Sequence, residues 1–196
     1  MTAMRCWLPV SLPPSFSVKS DPMKSQALRG EYALVGMAES AVGVVPDKSP
    51  RELCVEVTLN AVKDAGLTLA DCDGLITCNA FAEPILYHAE AVAEYLGWQP
   101  RHCVTVNTGG GTTFMAINMA VAAIAAGMAD TIVVAMADSL RSFMTRDQAM
   151  VVQSSSGHPH YEQPYGPTVP AYYALIARAH MDRFGTTEAQ FAEAAV

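Results

Sequence analysis

Four groups of residues have the types and spacing for chemistry. The first is Gly109-Gly110-Gly111-Thr112-Thr113, set between an apolar strand-like run and an apolar helix-like run. Backbone amides at such a helix N-terminus can hold an anion or a developing oxyanion. The phosphate-loop pattern fails, because no Lys follows the last glycine. The dinucleotide pattern GxGxxG fails too, because Phe114 stands where the third Gly belongs. Locally the run reads as tight-turn glycines. The second group is the cysteines: Cys6, Cys54, Cys72, Cys78 and Cys103. A reactive thiolate wants a helix N-terminus or a cationic neighbour. Cys54 falls inside a helix near its start, Cys72 in a loop, and Cys78 and Cys103 at strand ends, so all read as structural thiols. The third group is His158-Pro159-His160, two nitrogens with no further ligand at metal spacing, so no metal is expected. Tyr161, Tyr165, Tyr172 and Tyr173 can line a ligand cleft or donate protons, and packing of an amphipathic helix explains the last two equally well.

These residues need elements to place them. Residues 32–37 (YALVGM) form an apolar run rich in strand formers and predict a buried strand. Ser49-Pro50-Arg51-Glu52 is a capping box with Pro at the first helical position, and it opens a helix to Ala65 that stops at Gly66. Strands are expected at 75–78, 103–106 and 131–136. Helices are expected at 84–95, at 112–126 and at 168–184, ending at Gly97, Gly127 and Gly185. Residues 141–167 show no clear periodicity. Thr187-Glu188-Ala189-Gln190 resembles another capping box and opens a further helix. Strand and helix alternate, which predicts an α/β architecture with buried strands. In the 112–126 helix Phe114, Met115, Ile117, Met119, Val121 and Ile124 point all round. Such a helix wants a sheet on both sides.

Length and composition set the outer bounds. The chain has 196 residues, 51% hydrophobic and 16% charged, which allows a full core and excludes general disorder. A net charge of −7 argues against a nucleic-acid or anionic-membrane partner. Five cysteines, an odd number with no CxxC pair, suggest neither a disulfide framework nor a zinc site. Reduced thiols in a cytoplasmic protein are the simple reading. The start is a poor signal peptide, its apolar stretch broken by Pro9, Pro13 and Pro14. Residues 1–30 are expected to be an unstructured tail, and Met23 is an alternative first residue. The apolar stretch 114–128 is too short for a membrane span and reads as a buried helix.

Three separated blocks resemble the thiolase superfamily, in the branch of sterol-carrier-protein thiolases and bacterial acetyl-CoA acetyltransferase-like proteins. They are ALVGMAES…SPREL…AVKDAGL…DCDGLIT, then VNTGGGTTFMAINMAVAAIAAGMADTIVVAMADS, then YGPTVPAYYALIARAHMDRFGTTEAQFAEAAV. They stand in the family's order and cover about residues 31–196. The resemblance implies a layered αβαβα sandwich, of which this chain carries the first half only. It implies an α/β core over 31–140 and a loop subdomain over 141–196 that lies above the acyl-CoA cleft. The all-apolar helix is the one such a fold buries between two sheets. The chain is expected to be a truncated reading of a longer protein, with the family's catalytic His and second Cys in the other half.

The resemblance also assigns residues. Aligning Thr112-Thr113 with the family's Ser-Gly puts Gly110 where the nucleophilic Cys belongs, and glycine cannot form an acyl-enzyme. Thr112 is the nearest candidate substitute, with no adjacent base. Asn107, Gly109, Gly111, Tyr165 and Gly166 are the implied substrate contacts. The implied substrate is an acyl-CoA, with no cofactor beyond the coenzyme A thioester, and the implied assembly is a homodimer. Relatives with a glycine-rich turn resemble aldolases that cleave a carbon–carbon bond in a steroid side-chain CoA ester beside an OB-fold, zinc-ribbon partner. Three readings follow: a thiolase-like acyltransferase without its Cys, a CoA-ester aldolase-type lyase, or a catalytically silent acyl-CoA-binding or scaffold subunit.

Overall fold

Ser49 begins the first helix as its sequence requires. Its hydroxyl accepts the Glu52 amide, the Glu52 carboxylate accepts the Ser49 amide at 2.8 Å, and helix α1 runs Pro50–Asp64. The computed structural model describes residues 28–155 and 157–195. Most of the expected tail, residues 1–27, lies outside the described residues, as does Cys6. Residues 28–30 form a turn. From Gly36 onward the order is α1, β1 Gly74–Thr77, α2 His88–Tyr95, β2 His102–Thr105, α3 Thr112–Ala125 and β3 Ile132–Ala135. Then follow α4 Leu140–Phe143, α5 Arg146–Ser154, α6 Val169–Phe184 and α7 Glu188–Ala192.

The three strands form one parallel sheet in the order β2-β1-β3. Gly74 pairs with His102 on one side and Ile132 on the other, and Thr77 pairs with Thr105 and Ala135. Central β1 is buried along its whole length, while every residue of β2 is half-buried. Alternation divides the side chains between the two faces. Leu75, Cys103, Val133 and Ala135 pack with Cys54, Val62, Val92 and Ala93 from α1 and α2. Ile76, Val104, Ile132 and Val134 pack with Ala116, Met119 and Ala120 from α3. The result is an α/β fold of three layers, helix–sheet–helix. At the amino ends of the strands Asp73 aligns β3 with β1: one carboxylate oxygen accepts the Asp130 and Thr131 amides at 2.8 and 2.9 Å, and the other meets Arg101 at 2.9 Å.

Helix α3 buries Thr112, Ala116, Ala120 and Ala123, a single face at spacings of four, four and three. Met119 reaches the sheet, Ile117, Val121 and Ile124 are half-buried, and Phe114 and Met115 are 73% and 45% exposed. The sequence asks for cover all round this helix, and the described residues cover one side.

Three expectations need correction. Residues 32–37 form no strand: the Met37 amide bonds the Asp64 carboxylate at 2.9 Å, and Leu34, Val35 and Met37 are exposed. Their apolar pattern has no ladder partner among the described residues. The helix expected from Pro84 begins only at His88, because 81–87 is bend, turn and irregular chain. Residues 141–167 are not irregular throughout. They hold α4 and α5, and α5 opens on a capping box in which the Thr145 hydroxyl accepts the Gln148 amide. The helices ending at Gly66, Gly97, Gly127 and Gly185 all carry positive φ at those glycines, as helix-terminating residues do.

Candidate functional site

Ligands in open parallel sheets gather at the carboxyl ends of the strands. Here that end carries the segment after β1 (Cys78, Asn79), the glycine turn after β2, and Asp138-Ser139 after β3. The turn follows Val106, whose amide still bonds the Thr77 carbonyl at 2.8 Å. Gly109 takes φ +69, a backbone that side chains resist, and Gly109–Gly111 make one 3-10 turn before α3. Asn107, Gly109, Gly110 and Gly111 are exposed. Around a Cβ added at Gly110 or Gly111 no atom lies within 4 Å. No side chain caps α3; its first amide, that of Thr112, donates to the Gly109 carbonyl, and the amides after it in the first turn have no side-chain cap.

Thr112 is a structural pin. Its hydroxyl donates to the Gly109 carbonyl at 2.6 Å and accepts the Thr108 amide at 3.0 Å. It is 6% exposed, and among the described residues its hydroxyl bonds Thr108 and Gly109. Thr113 places its hydroxyl 3.3 Å from the Met136 sulfur. Tyr165 ends a separate 3-10 turn and is 86% exposed, and Gly166 follows with φ +65. Among the described residues the backbone bonds of Tyr165 and Gly166 go to Glu162 and Gln163, not to the glycine turn.

The four described cysteines are free thiols. Burial, and next Cys78, pushes the Cys54 thiol up to about 12. Burial, and next Glu90, pushes Cys103 up to about 11. Burial also raises Cys78, with the Asp138 charge acting the same way, and raises Cys72 beside Asp71 and Asp73. None is a ready thiolate, and none stands at the start of α3. Among the described residues no group of three or more His, Cys, Asp or Glu has a metal-holding arrangement. His158 and His160 are exposed, with ring centroids 6.0 Å apart.

A second polar group at the same end escaped the sequence reading. His88 is 1% exposed at the start of α2, and its Nδ1 lies 2.9 Å from the Thr77 hydroxyl of β1. Arg51 of α1 forms an ion pair with Glu83 and also lies over the Tyr95 ring, 4.8 Å from its centroid. Asp138 accepts the Phe81 and Ala82 amides at 2.7 and 3.3 Å, and the Ser139 amide at 2.8 Å. Burial pulls His88 below its ordinary value, Arg51 adds to this, and Glu83 and Asp138 oppose it. The signal was present as a lone His between two apolar runs and an Asp just past a strand, but neither belongs to a motif.

Comparisons with known proteins follow the same lines. No family model matches the chain. An acetyl-CoA acetyltransferase of Methanothermobacter thermautotrophicus is 27% identical over 169 residues, 85% of this chain and 43% of that protein. A 17-hydroxy-3-oxo-4-pregnene-20-carboxyl-CoA lyase of Mycobacterium tuberculosis is 29% identical over 177 residues, 86% of this chain and 45% of that protein. Among solved structures the Ltp2-ChsH2(DUF35) aldolase superposes with a TM-score of 0.61 and 27% identity, over 79% of this chain and 39% of that one. The chain therefore spans less than half the length of the relatives it matches. Among the described residues no helix is long and apolar enough to cross a membrane.

Proposed function

We propose, from the premise that the chain is thiolase-like and corresponds to the N-terminal half of such proteins, that it helps form a CoA-thioester site working without a covalent acyl-enzyme. The observation that carries this reading is the glycine turn. Where a thiolase-like nucleophile would stand, Gly110 has no side chain, and the one nearby buried hydroxyl, Thr112, is engaged on both sides. Acyl transfer through this position lacks its nucleophile. Carbon–carbon cleavage of a β-hydroxyacyl thioester does not need one. A base takes the β-hydroxyl proton, the Cα–Cβ bond breaks to leave a carbonyl product, and the electron pair passes to the thioester enolate, which is then protonated at Cα.

In this reading the first-turn amides of α3 face the thioester oxygen as charge builds on it, and Asn107, Gly109 and Gly111 shape the approach. Tyr165 and Gly166 belong to a loop subdomain over the CoA arm. The base and the proton donor come from outside this chain's described residues. The reading needs no resident cofactor, because coenzyme A arrives with the substrate. It takes a homodimer and an OB-fold, zinc-ribbon partner as its assembly, and the aldolase among the similar structures supports a partner of some kind. Acyl transfer is the second reading, favoured by the acetyltransferase relatives.

The test is product analysis. The complete protein with its partner is given a β-hydroxyacyl-CoA carrying a tertiary side-chain alcohol, and separately acetoacetyl-CoA plus CoA. The reading expects a ketone and a shortened acyl-CoA from the first and no acetyl-CoA from the second. Thiolytic cleavage of acetoacetyl-CoA would replace it with the acyltransfer reading.

A further inference from the structure

We propose that His88 is an acid-sensitive latch that fastens the 79–87 segment over the carboxyl end of the sheet, and that its protonation releases that segment. The segment has little regular structure of its own. It is tied down at Asp138, which holds the Phe81 and Ala82 amides, at Arg51, which holds Glu83, and at His88 itself. His88 is 1% exposed, and histidine is the side chain whose ordinary value lies in the physiological range. Beside it, the Ala89 amide donates to the Thr105 hydroxyl of β2 at 2.9 Å, so the start of α2 is fixed to both β1 and β2 at this point.

The polar groups that act on the ring come from both sides of the segment. Thr77 of β1 hydrogen-bonds the ring, and the charges of Arg51 from α1, Glu83 from the segment and Asp138 from beyond β3 act on it. Neutral His88 satisfies Nδ1 with Thr77, while Nε2 is buried without a partner. A second proton makes both nitrogens donors and adds a positive charge beside the Arg51 guanidinium. Asp138 cannot turn to it without freeing three amides. Glu83 has one oxygen on Arg51 and its other oxygen buried and unpartnered. If that oxygen turns to the imidazolium, Glu83 moves and carries the segment with it. As placed, the closed arrangement offers the imidazolium's Nε2 no acceptor, so protonation in it buries a charged donor without a partner.

The sign follows from linkage. Burial and Arg51 lower the folded-state value, so the latch is fully closed above the ordinary histidine value of about 6.5. It weakens as pH falls from there toward the lowered value. Because the same end of the sheet carries the glycine turn, opening would loosen the candidate site from the β1 side. The inference does not depend on which CoA chemistry the site performs.

Hydrogen exchange of residues 79–90 in this chain, from about pH 8 to about pH 5 and corrected for intrinsic exchange chemistry, tests it. Opening should rise by up to about tenfold per pH unit below about 6.5, while α3 keeps its protection. His88→Gln, which retains an amide group for Thr77 but does not titrate, should lose the pH slope. Should that variant not fold, the ring resonances of His88 in the unsubstituted chain decide. They should stay neutral through the ordinary histidine range and protonate together with opening of the segment. Three results would overturn the latch: exchange that is flat across the range, a His88 ring that titrates at its ordinary value with the segment still closed, or a segment already unprotected near pH 8.

Discussion

Gly110 has open space where a side chain would go, and its backbone lies outside the left-handed region, so a cysteine fits there without strain. Fit is not activation. The start of α3 favours a thiolate by roughly 0.3–1 kcal/mol, which is less than one pKa unit of about 1.4 kcal/mol. A thiol near 8.5 would stay mostly protonated at neutral pH. Gly110→Cys should therefore alkylate slowly with iodoacetamide and show no acetoacetyl-CoA cleavage. Fast alkylation, read by mass spectrometry, would mean a base reaches the turn. Thr112 makes the opposite case. Thr112→Val leaves the Thr108 amide without its acceptor and should lower stability by about 1–3 kcal/mol in urea unfolding. Thr112→Ser should restore most of it, as expected of a pin. Asp73 gives a pH signature at this scale. Its burial would raise its carboxyl, but the Thr131 and Asp130 amides and Arg101 outweigh this and hold it below the usual range. Its contribution is present above the unfolded value of about 3.9 and is lost as pH falls through the lower folded value. The stability gap between the protein and Asp73→Asn should close in that window.

Elements whose signal is local were legible in the sequence. Ser49, Pro50 and Glu52 state the start of α1 by themselves, and Gly66 states its end. Ser49→Ala should cost about 1 kcal/mol, measured by thermal unfolding. The strands were legible within a residue because each is an apolar run between turn residues. Residues 32–37 carry the same pattern and form no strand, because a strand needs a partner and composition does not report one. The box at Thr145 and Gln148 is as explicit as the one at Ser49, and Ala149, Met150, Val151 and Val152 follow it, but the Gly, Pro, Ser and His of the surrounding stretch mask its periodicity. At the site, the glycine turn could be read directly, because three glycines before an apolar helix are conspicuous. His88, Glu83 and Asp138 could not be, because they are separated in sequence and only the parallel pairing of β1 with β3 brings their segments together.

At the scale of the whole molecule, α3 is the tension. Its sequence is apolar on every side, and the described chain covers only the Ala116–Ala120–Ala123 face. Large side chains left wet, Phe114 and Met115 first, each forfeit roughly 1.5–3 kcal/mol of burial. Against a domain stability of about 5–15 kcal/mol that is a large share. The chain by itself should self-associate, and analytical ultracentrifugation should find more than a monomer at micromolar concentration. A monodisperse, cooperatively melting monomer would show that α3 needs no further cover. A CoA-thioester site with no acyl-enzyme at its glycine turn can be read out by mass spectrometry of the protein after exposure to acetyl-CoA. Native conditions should preserve a bound acyl-CoA complex, and denaturing conditions should leave an unmodified chain. An acetyl group mapped to Thr112 or Thr113 would contradict it.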